Sequence, residues 1–289
     1  MNSISVFGGS GFIGSTYCKQ FPCKVIPRND LISETPDILY FISTVDNYNV
    51  LDDVTLDIET NLIHLMKVLD ANKENLKCIN FISSWFVYGD TDLPANEDSV
   101  CKPKGFYSIT KKCAEDLLIS YCRTNKINYR IFRLSNVYGK NDLKVSKRKN
   151  ALQYLINKIK SNESIELYHG GKFYRDYMFV DDVCRAINHL LTYGELDSIY
   201  NIGTGDKIEF LEIIQKAIKL TNSNSKIIEI LPSEFHQIVQ VKNIILDASK
   251  LINTGFIRGD SILNNLNNLL WKKNLVISIF NHNPDWIKF

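Results

Sequence analysis

With 289 residues, 45% of them hydrophobic, the chain is long enough for one large α/β unit or two smaller lobes and can fill a sizeable core, which excludes wholesale disorder. Thirty-four Lys and Arg against 32 Asp and Glu leave a formal charge of +2, too little for a polyanion-binding surface, so no nucleic-acid partner is expected. Seven cysteines without a C-x-x-C pair and five histidines without H-E-x-x-H offer no metal site, and no basic leader or run of about 18 apolar residues occurs; the expectation is a soluble, cytoplasmic protein with reduced thiols, no metal and no membrane partner.

In chain order, "SISVF" at 3–7 is a short apolar run that enters "GGSGFIG", after which Thr16 to Gln20 continue as a helix. "CKVIP" at 23–27 and "DILYFIS" at 37–43, joined by a Pro-containing link, predict two further strands. A helix is expected over residues 51–71, carried by Leu56, Leu62, Ile63, Met66 and Leu69. "LKCINFIS" predicts a strand, residues 107–124 a long helix, and "YRIFRLS" at 129–135 another strand. Near-continuous apolar strands separated by helices are what a parallel sheet covered on both faces requires, so the first half is a doubly wound, Rossmann-type α/β sheet.

After Gly139, "KNDLKVSKRKN" has five basic residues in eleven and no apolar periodicity, which marks a loop or domain boundary. Beyond it come a helix ("ALQYLINKIK"), two strands ("SIELYH" and "DYMFV"), a helix with an acidic first turn ("DDVCRAINHLLTY") and a strand ending in glycines ("SIYNIGTG"). Two more helices are expected near 208–220 and 260–271, while "NLVISIFNHNPDWIKF" has no assignment. The expected organisation is a dinucleotide-binding domain over 1–145, also receiving segments near 176–205, and a smaller mixed α/β substrate-binding lobe over 146–289.

Gly8, Gly11 and Gly14 form G-x-x-G-x-x-G between a strand and a helix. Without Cβ atoms the backbone turns tightly and approaches a pyrophosphate, whose charge is stabilised by the N–H groups of Phe12, Ile13 and Gly14 at the helix start. NAD-preferring folds of this kind place an acid about 20 residues on, to bind the adenosine ribose. Here Arg28 stands twenty residues after Gly8, suited to a 2′-phosphate, with Asp30 two residues further as the alternative ribose ligand. The expected cofactor is NADP(H) in preference to NAD(H).

Tyr107 and Lys111, four residues apart, share one helical face, and the stripe Ile109, Cys113, Leu117 and Tyr121 is expected to anchor the helix and leave that face toward a cleft. An ammonium and a cationic nicotinamide beside the phenol favour the phenolate, which turns tyrosine into a proton carrier.

With the glycine turn, "FISSWFVYG" and "YSITK" in that order, the chain resembles the extended short-chain dehydrogenase/reductase family, specifically its NAD(P)-dependent nucleotide-sugar epimerases, dehydratases and reductases, over residues 3–272. "ETNLIHLMKVLDA", "RLSNVYG", "YRDYMFVDDV", "YNIGTG" and "LDASKLINTGF" are similar to further family elements. The resemblance implies that Ser84, four residues before Tyr88, hydrogen-bonds the sugar oxygen at the reacting carbon, Ser83 being structural. It implies that Tyr107 exchanges the hydroxyl proton, that Lys111 holds the nicotinamide ribose, and that Asn61 lies near the cofactor. Arg175 would contact the nucleotide diphosphate, with a salt bridge to Asp176 as its structural alternative, and Asn136 would lie beside it on the substrate side. The partner is then a nucleotide-diphosphate sugar, and the assembly a homodimer through the helices at 51–71 and 107–124.

Dehydratases of the family carry an acid in the two residues after the catalytic Ser or Thr, whereas this chain has Trp85 and Phe86. That disfavours 4,6-dehydration unless an acid comes from elsewhere. It leaves reduction of a 4-keto(-6-deoxy) sugar, favoured by Arg28 and by the short 28–37 link, or 4-epimerisation with tightly bound NAD. A non-catalytic cofactor sensor or scaffold is the remaining class, opposed by the presence of Ser84, Tyr107 and Lys111 together.

Overall fold

The structure, a computed structural model, describes residues 3–139, 142 and 151–270. β1 (Ile4–Phe7) runs through the glycine turn into α1 (Phe12–Gln20), then β2 (Cys23–Ile26). The short link to β3 (Asp37–Tyr40) carries no helix and returns the chain to the other side of β1. After a 3-10 turn at Asn49–Leu51, the longer helical stretch starts later than expected: α2 (Leu56–Ile58), a π-helical turn (Glu59–Ile63) and α3 (His64–Asn72). β4 (Cys78–Ser84), α4 (Gly105–Asn125), β5 (Asn128–Leu134) and β6 (Asn136–Tyr138) follow.

The second half runs α5 (Ala151–Lys160), β7 (Ile165–Tyr168), β8 (Tyr174–Arg175), β9 (Tyr177–Phe179), α6 (Val180–Tyr193), β10 (Ser198–Ile202), β11 (Ile208–Glu209), α7 (Phe210–Thr221), β12 (Ile227–Ile230), α8 (Glu234–Val239) and α9 (Ser249–Asn253). Two short helices, α10 (Ile262–Asn265) and α11 (Asn267–Leu270), replace the single one expected over 260–271. Apart from Asp142, the basic loop 140–149 lies outside the described residues, as does the unassigned stretch 274–289.

Among the described residues, six parallel strands form one sheet in the order β10-β5-β4-β3-β1-β2. The chain steps from β1 outward to β2 and then back past β1 to β3, so a switch point opens a crevice at the carboxyl ends of β1 and β3. On one face Tyr17 of α1 and Val183, Ile187 and Leu190 of α6 pack against Val6, Leu39 and Phe132. On the other, Leu65 and Val68 of α3 and Ala114 and Leu118 of α4 pack against Ile38, Ile79 and Ile131. β4 is buried at all seven positions, which explains its apolar run up to the serines. α5, α7 and β7 enclose a separate core around Ile156, Ile165 and Ile213.

α4 is rotated relative to the expectation. Ile109 and Leu117 are 50% and 41% exposed, and Cys113 and Tyr121 only half-buried, so that stripe does not anchor the helix. The buried face is instead Tyr107, Ser108, Thr110, Lys111, Ala114, Glu115, Leu118 and Cys122. Polar groups are tolerated there because they find partners: Glu115 pairs with Arg133 at 2.8 Å, Ser108 donates to Asn47 Oδ1 at 3.1 Å, and Thr110 donates to the Phe106 carbonyl at 2.8 Å.

Candidate active site

Gly8 sits at φ +80°, and a Cβ there would meet the Ile42 backbone nitrogen at 3.0 Å. A Cβ on Gly14 would lie 2.4 Å from the Gly8 carbonyl oxygen, so only glycine lets α1 approach the turn this closely. Gly11 caps α1 with no side-chain bond, which leaves the first-turn N–H groups of Phe12, Ile13 and Gly14 without a capping acceptor where these residues line the crevice. This cradle fits a dinucleotide pyrophosphate.

From the turn, a cavity of about 940 Å³ extends across the carboxyl ends of β3, β4 and β5 to the 230–242 segment. Ser84, Tyr107, Lys111, Asn136 and Arg175 all line it together with the three glycines. Ser84 ends β4, and its Oγ accepts from the Phe86 N–H at 3.3 Å. Tyr107 comes from the first turn of α4, held by Ser108 on Asn47. Burial pushes its phenol up to about 12, opposed by hydrogen bonding from Ser84 and Ser43 and reinforced by the Asp57 and Asp46 carboxylates. Burial thus outweighs the neighbouring hydroxyls, whereas the expected lowering concerns the phenol beside a cationic nicotinamide.

Lys111 is 1% exposed. Its Nζ donates to the Ile82 carbonyl at 2.7 Å and stands 3.9 Å from the Phe81 ring centre. Burial pulls its ammonium down to about 7, with Glu115 one turn along opposing. Trp85 and Phe86 stack at 3.9 Å, and Phe86 meets Tyr107 edge-on at 5.6 Å, so the two positions that lack an acid form an apolar wall.

Arg175 makes no ion pair with Asp176 or any other described residue. Asp176 is instead saturated by Thr204 and the Gly205 N–H. The Arg175 guanidinium donates to the backbone carbonyls of Tyr174, Val241 and Lys242 and lies over the Phe173 and Trp85 rings. Burial lowers it to about 10, with Tyr177 opposing. Asn136 donates to the Asp176 carbonyl at 3.0 Å, beside the start of the β6–β9 pairing.

Two expected cofactor residues do not line the cavity. Arg28 is exposed just beyond β2, where Ile26 pairs with Phe7 next to the glycine turn. Asn61, in the π-helical turn, spends its whole amide on Ser43, Thr44 and Thr110 at 2.8–3.0 Å. It holds the loop after β3 from behind, while Ser43 and Thr44 themselves line the cavity.

That loop was not singled out in the sequence. Asp46 lines the cavity within electrostatic reach of Tyr107. Buried Asn47 ties α4 to the Val239 carbonyl at 3.0 Å, and Tyr48 bonds His236 of α8. Its position, directly after the strand at the switch point, is the signal that could have flagged it. Among the described residues no group of three His, Cys, Asp or Glu could hold a metal, and no helix is long and apolar enough to cross a membrane.

Residues 28–203 match the model of the NAD dependent epimerase/dehydratase family. The chain belongs to that family. It is 28% identical over 182 residues to the dTDP-D-glucose 4,6-dehydratase of Dictyostelium discoideum, a match covering 63% of this chain but only 38% of that relative. It is 24% identical over 254 residues to an Escherichia coli dTDP-4-dehydro-6-deoxyglucose reductase, covering 74% and 80%. The fold is similar to Thermus thermophilus UDP-glucose 4-epimerase with NAD (TM-score 0.81, 20% identity, 93% and 97% covered). It is equally similar to RMD of Pseudomonas aeruginosa with NADPH (TM-score 0.79, 21% identity, 93% and 98% covered). These relatives and neighbours are named for dehydration, reduction and epimerisation, so the shared fold does not by itself fix the reaction.

Proposed function

We propose that the chain is an NADP(H)-preferring nucleotide-sugar oxidoreductase acting at sugar C4, a reductase of 4-keto(-6-deoxy) sugars. The observation that carries this reading is the convergence of Ser84, Tyr107 and Lys111 on one cavity with the glycine cradle, next to an apolar Trp85–Phe86 wall where elimination needs an acid. When bound, the nicotinamide supplies or takes the hydride. Ser84 orients the carbonyl or alkoxide oxygen, and Tyr107, whose phenol keeps its proton at neutral pH, gives that proton to the oxygen. Lys111 is placed to hold the ribose and to bring its charge toward Tyr107, and Arg175, lacking a carboxylate partner, binds the substrate diphosphate. Asn136 borders the same substrate side.

Arg28, beyond the cavity on the edge strand, is exposed and free to reach a 2′-phosphate; Asn61 acts on the cofactor through the Ser43–Thr44 loop. We assign residues 1–145 with the 176–205 region to the dinucleotide side and 146–289 mainly to the substrate lobe. The exposed apolar side chains Ile58, Ile63, Ile109 and Leu117 support a homodimer through α2, the π-helical turn and α4, and seven free thiols support a reducing, cytoplasmic setting.

Asp46 favours a second reading, 4,6-dehydration, because it brings a carboxylate into the cavity from the loop after β3. The test is to incubate purified protein with NADPH or NADH and a 4-keto-6-deoxy nucleotide sugar, and separately with the parent 4-hydroxy sugars. NADPH consumption with formation of a 4-hydroxy product supports reduction. Interconversion of 4-epimers with retained NAD overturns it in favour of the epimerase, and loss of water from the 4-hydroxy sugar supports the Asp46 reading. No turnover with any of them leaves a binding protein.

A further inference from the structure

Asn47, in the turn after β3, is fully buried although it belongs to no helix or strand. Its Oδ1 accepts from the N–H and the hydroxyl of Ser108, both at 3.1 Å, and its Nδ2 donates to the Val239 carbonyl at 3.0 Å. One amide thus joins the residue that follows Tyr107 to the last residue of α8.

The start of α4 is shaped to admit that amide. Lys104, at the helix cap, makes no side-chain bond to the first turn, so an acceptor supplied from outside takes that place. Gly105 sits at φ +77°, and a Cβ there would come within 2.7 Å of Asn47 Oδ1. A side chain at 105 would push the amide off Ser108.

Val239 in turn begins a segment with a second tether. Arg175 donates to the carbonyls of Val241 and Lys242, and Arg175, Val241 and Lys242 all line the cavity. Val239 and Val241 are both buried, so the segment is packed between its tethers and cannot shift at one end without the other. At one end is the arginine read as the diphosphate ligand; at the other is the amide that holds the Tyr107 turn. Tyr48, next to Asn47, adds a parallel bond to His236.

A ligand shifts such an arrangement only if it favours one state of it. A diphosphate does so, because it competes for the guanidinium donors that now hold the Val241 and Lys242 carbonyls. Residues 241 and 242 then re-seat, and the next fixed point along the chain is the Val239 carbonyl on Asn47.

We propose that Asn47 is a positioning residue through which occupancy of the diphosphate site sets the Tyr107 turn, an inference that rests on the substrate reading of Arg175 above. The nucleotide half of the substrate, remote from the reacting carbon, thereby orders the phenol that exchanges the proton, and its binding contributes to rate as well as to affinity.

The test is hydrogen exchange read by mass spectrometry over residues 104–112, with and without whichever of dTDP, UDP, GDP and CDP wild type binds in calorimetry. In wild type the diphosphate is expected to slow exchange there by at least about threefold. Asn47→Ala removes both bonds, and Asn47→Asp keeps the acceptor for Ser108 but loses the donor to Val239. Both variants should lose the slowing while the Kd for the diphosphate stays within about threefold. With NADPH and a 4-keto-6-deoxy nucleotide sugar, Asn47→Ala should lower kcat roughly 10–100-fold with KM nearly unchanged. Exchange that is unchanged or faster in wild type overturns the inference without any variant. Slowing that persists in either variant also overturns it, as does an Asn47→Ala protein that melts lower but keeps the wild-type kcat. Wild type that binds none of the four diphosphates sinks the Arg175 reading and this one together; binding without the exchange response sinks this one alone.

Discussion

Lys111→Met should make the protein less active but more stable at neutral pH. The Lys111 ammonium is pulled from 10.5 to about 7 by burial, so the folded chain binds this proton less tightly than the unfolded chain does. At ~1.4 kcal/mol per tenfold change, holding the charge costs at most about 5 kcal/mol below pH 7. The Ile82 hydrogen bond and the Phe81 contact, ~1–3 and ~1 kcal/mol, are lost in the variant and offset part of the gain. Between pH 7 and 10.5 the unfolded chain carries the proton and the folded chain does not, so the Lys111 contribution to stability rises with pH through that window. Wild type should therefore gain about 2 kcal/mol on Lys111→Met between pH 7 and pH 9, while the other titrating groups cancel in the comparison. Urea denaturation of both proteins at the two pH values reads the gap directly. A variant that is less stable than wild type by the same amount at both pH values would show that Lys111 carries its charge without penalty and would refute the reasoning.

Ser84→Ala and Tyr107→Phe are expected to lower kcat about 10²–10⁴-fold while the Kd for NADPH moves less than about threefold, measured by steady-state assay and fluorescence titration. Arg175→Met should weaken UDP or dTDP binding roughly tenfold or more in calorimetry, the loss of a charge-assisted contact, and leave NADPH binding intact. Glu115→Gln strands the Arg133 guanidinium in a site where both partners are at most 3% exposed, so unfolding free energy should drop by about 3–5 kcal/mol. A loss below ~1 kcal/mol would mean that the pair is solvated in solution.

Much of the sheet was legible because its signals are local. Glycines at 8, 11 and 14 lie where a strand must turn into a helix, and the apolar runs at 78–82 and 129–134 belong to strands buried on both faces. That Ser84, Tyr107 and Lys111 would come together was legible for the same reason, since each sits at a fixed offset within its own element, and all three line the cavity. Asn47, Tyr48 and His236 were not, because their meaning lies in bonds spanning 188 to 192 residues, such as Tyr48 to His236 and Asn47 to Val239. Asn61 was placed correctly in its helical stretch, but from sequence nothing showed that Ser43, Thr44 and Thr110 would consume its amide.

The misreading of α4 has a physical cause that bears on function. A hydrophobic stripe normally faces the core, and Ile109, Leu117 and their neighbours supply one, yet the helix buries Ser108, Thr110, Lys111 and Glu115 instead. Burying polar groups is unfavourable unless partners wait for them, and here they do: Asn47 for Ser108, the Phe106 carbonyl for Thr110, the Ile82 carbonyl for Lys111 and Arg133 for Glu115. Rotating the helix to hide its apolar stripe would break the three contacts that leave it, to Asn47, the Ile82 carbonyl and Arg133, and carry Tyr107 out of the cavity. The wall between β4 and α4 is thus the place where local pattern and tertiary structure disagree most, and it is also where Ser83, Ser84, Tyr107 and Lys111 meet. That coincidence is what the proposed catalytic role of these residues leads one to expect.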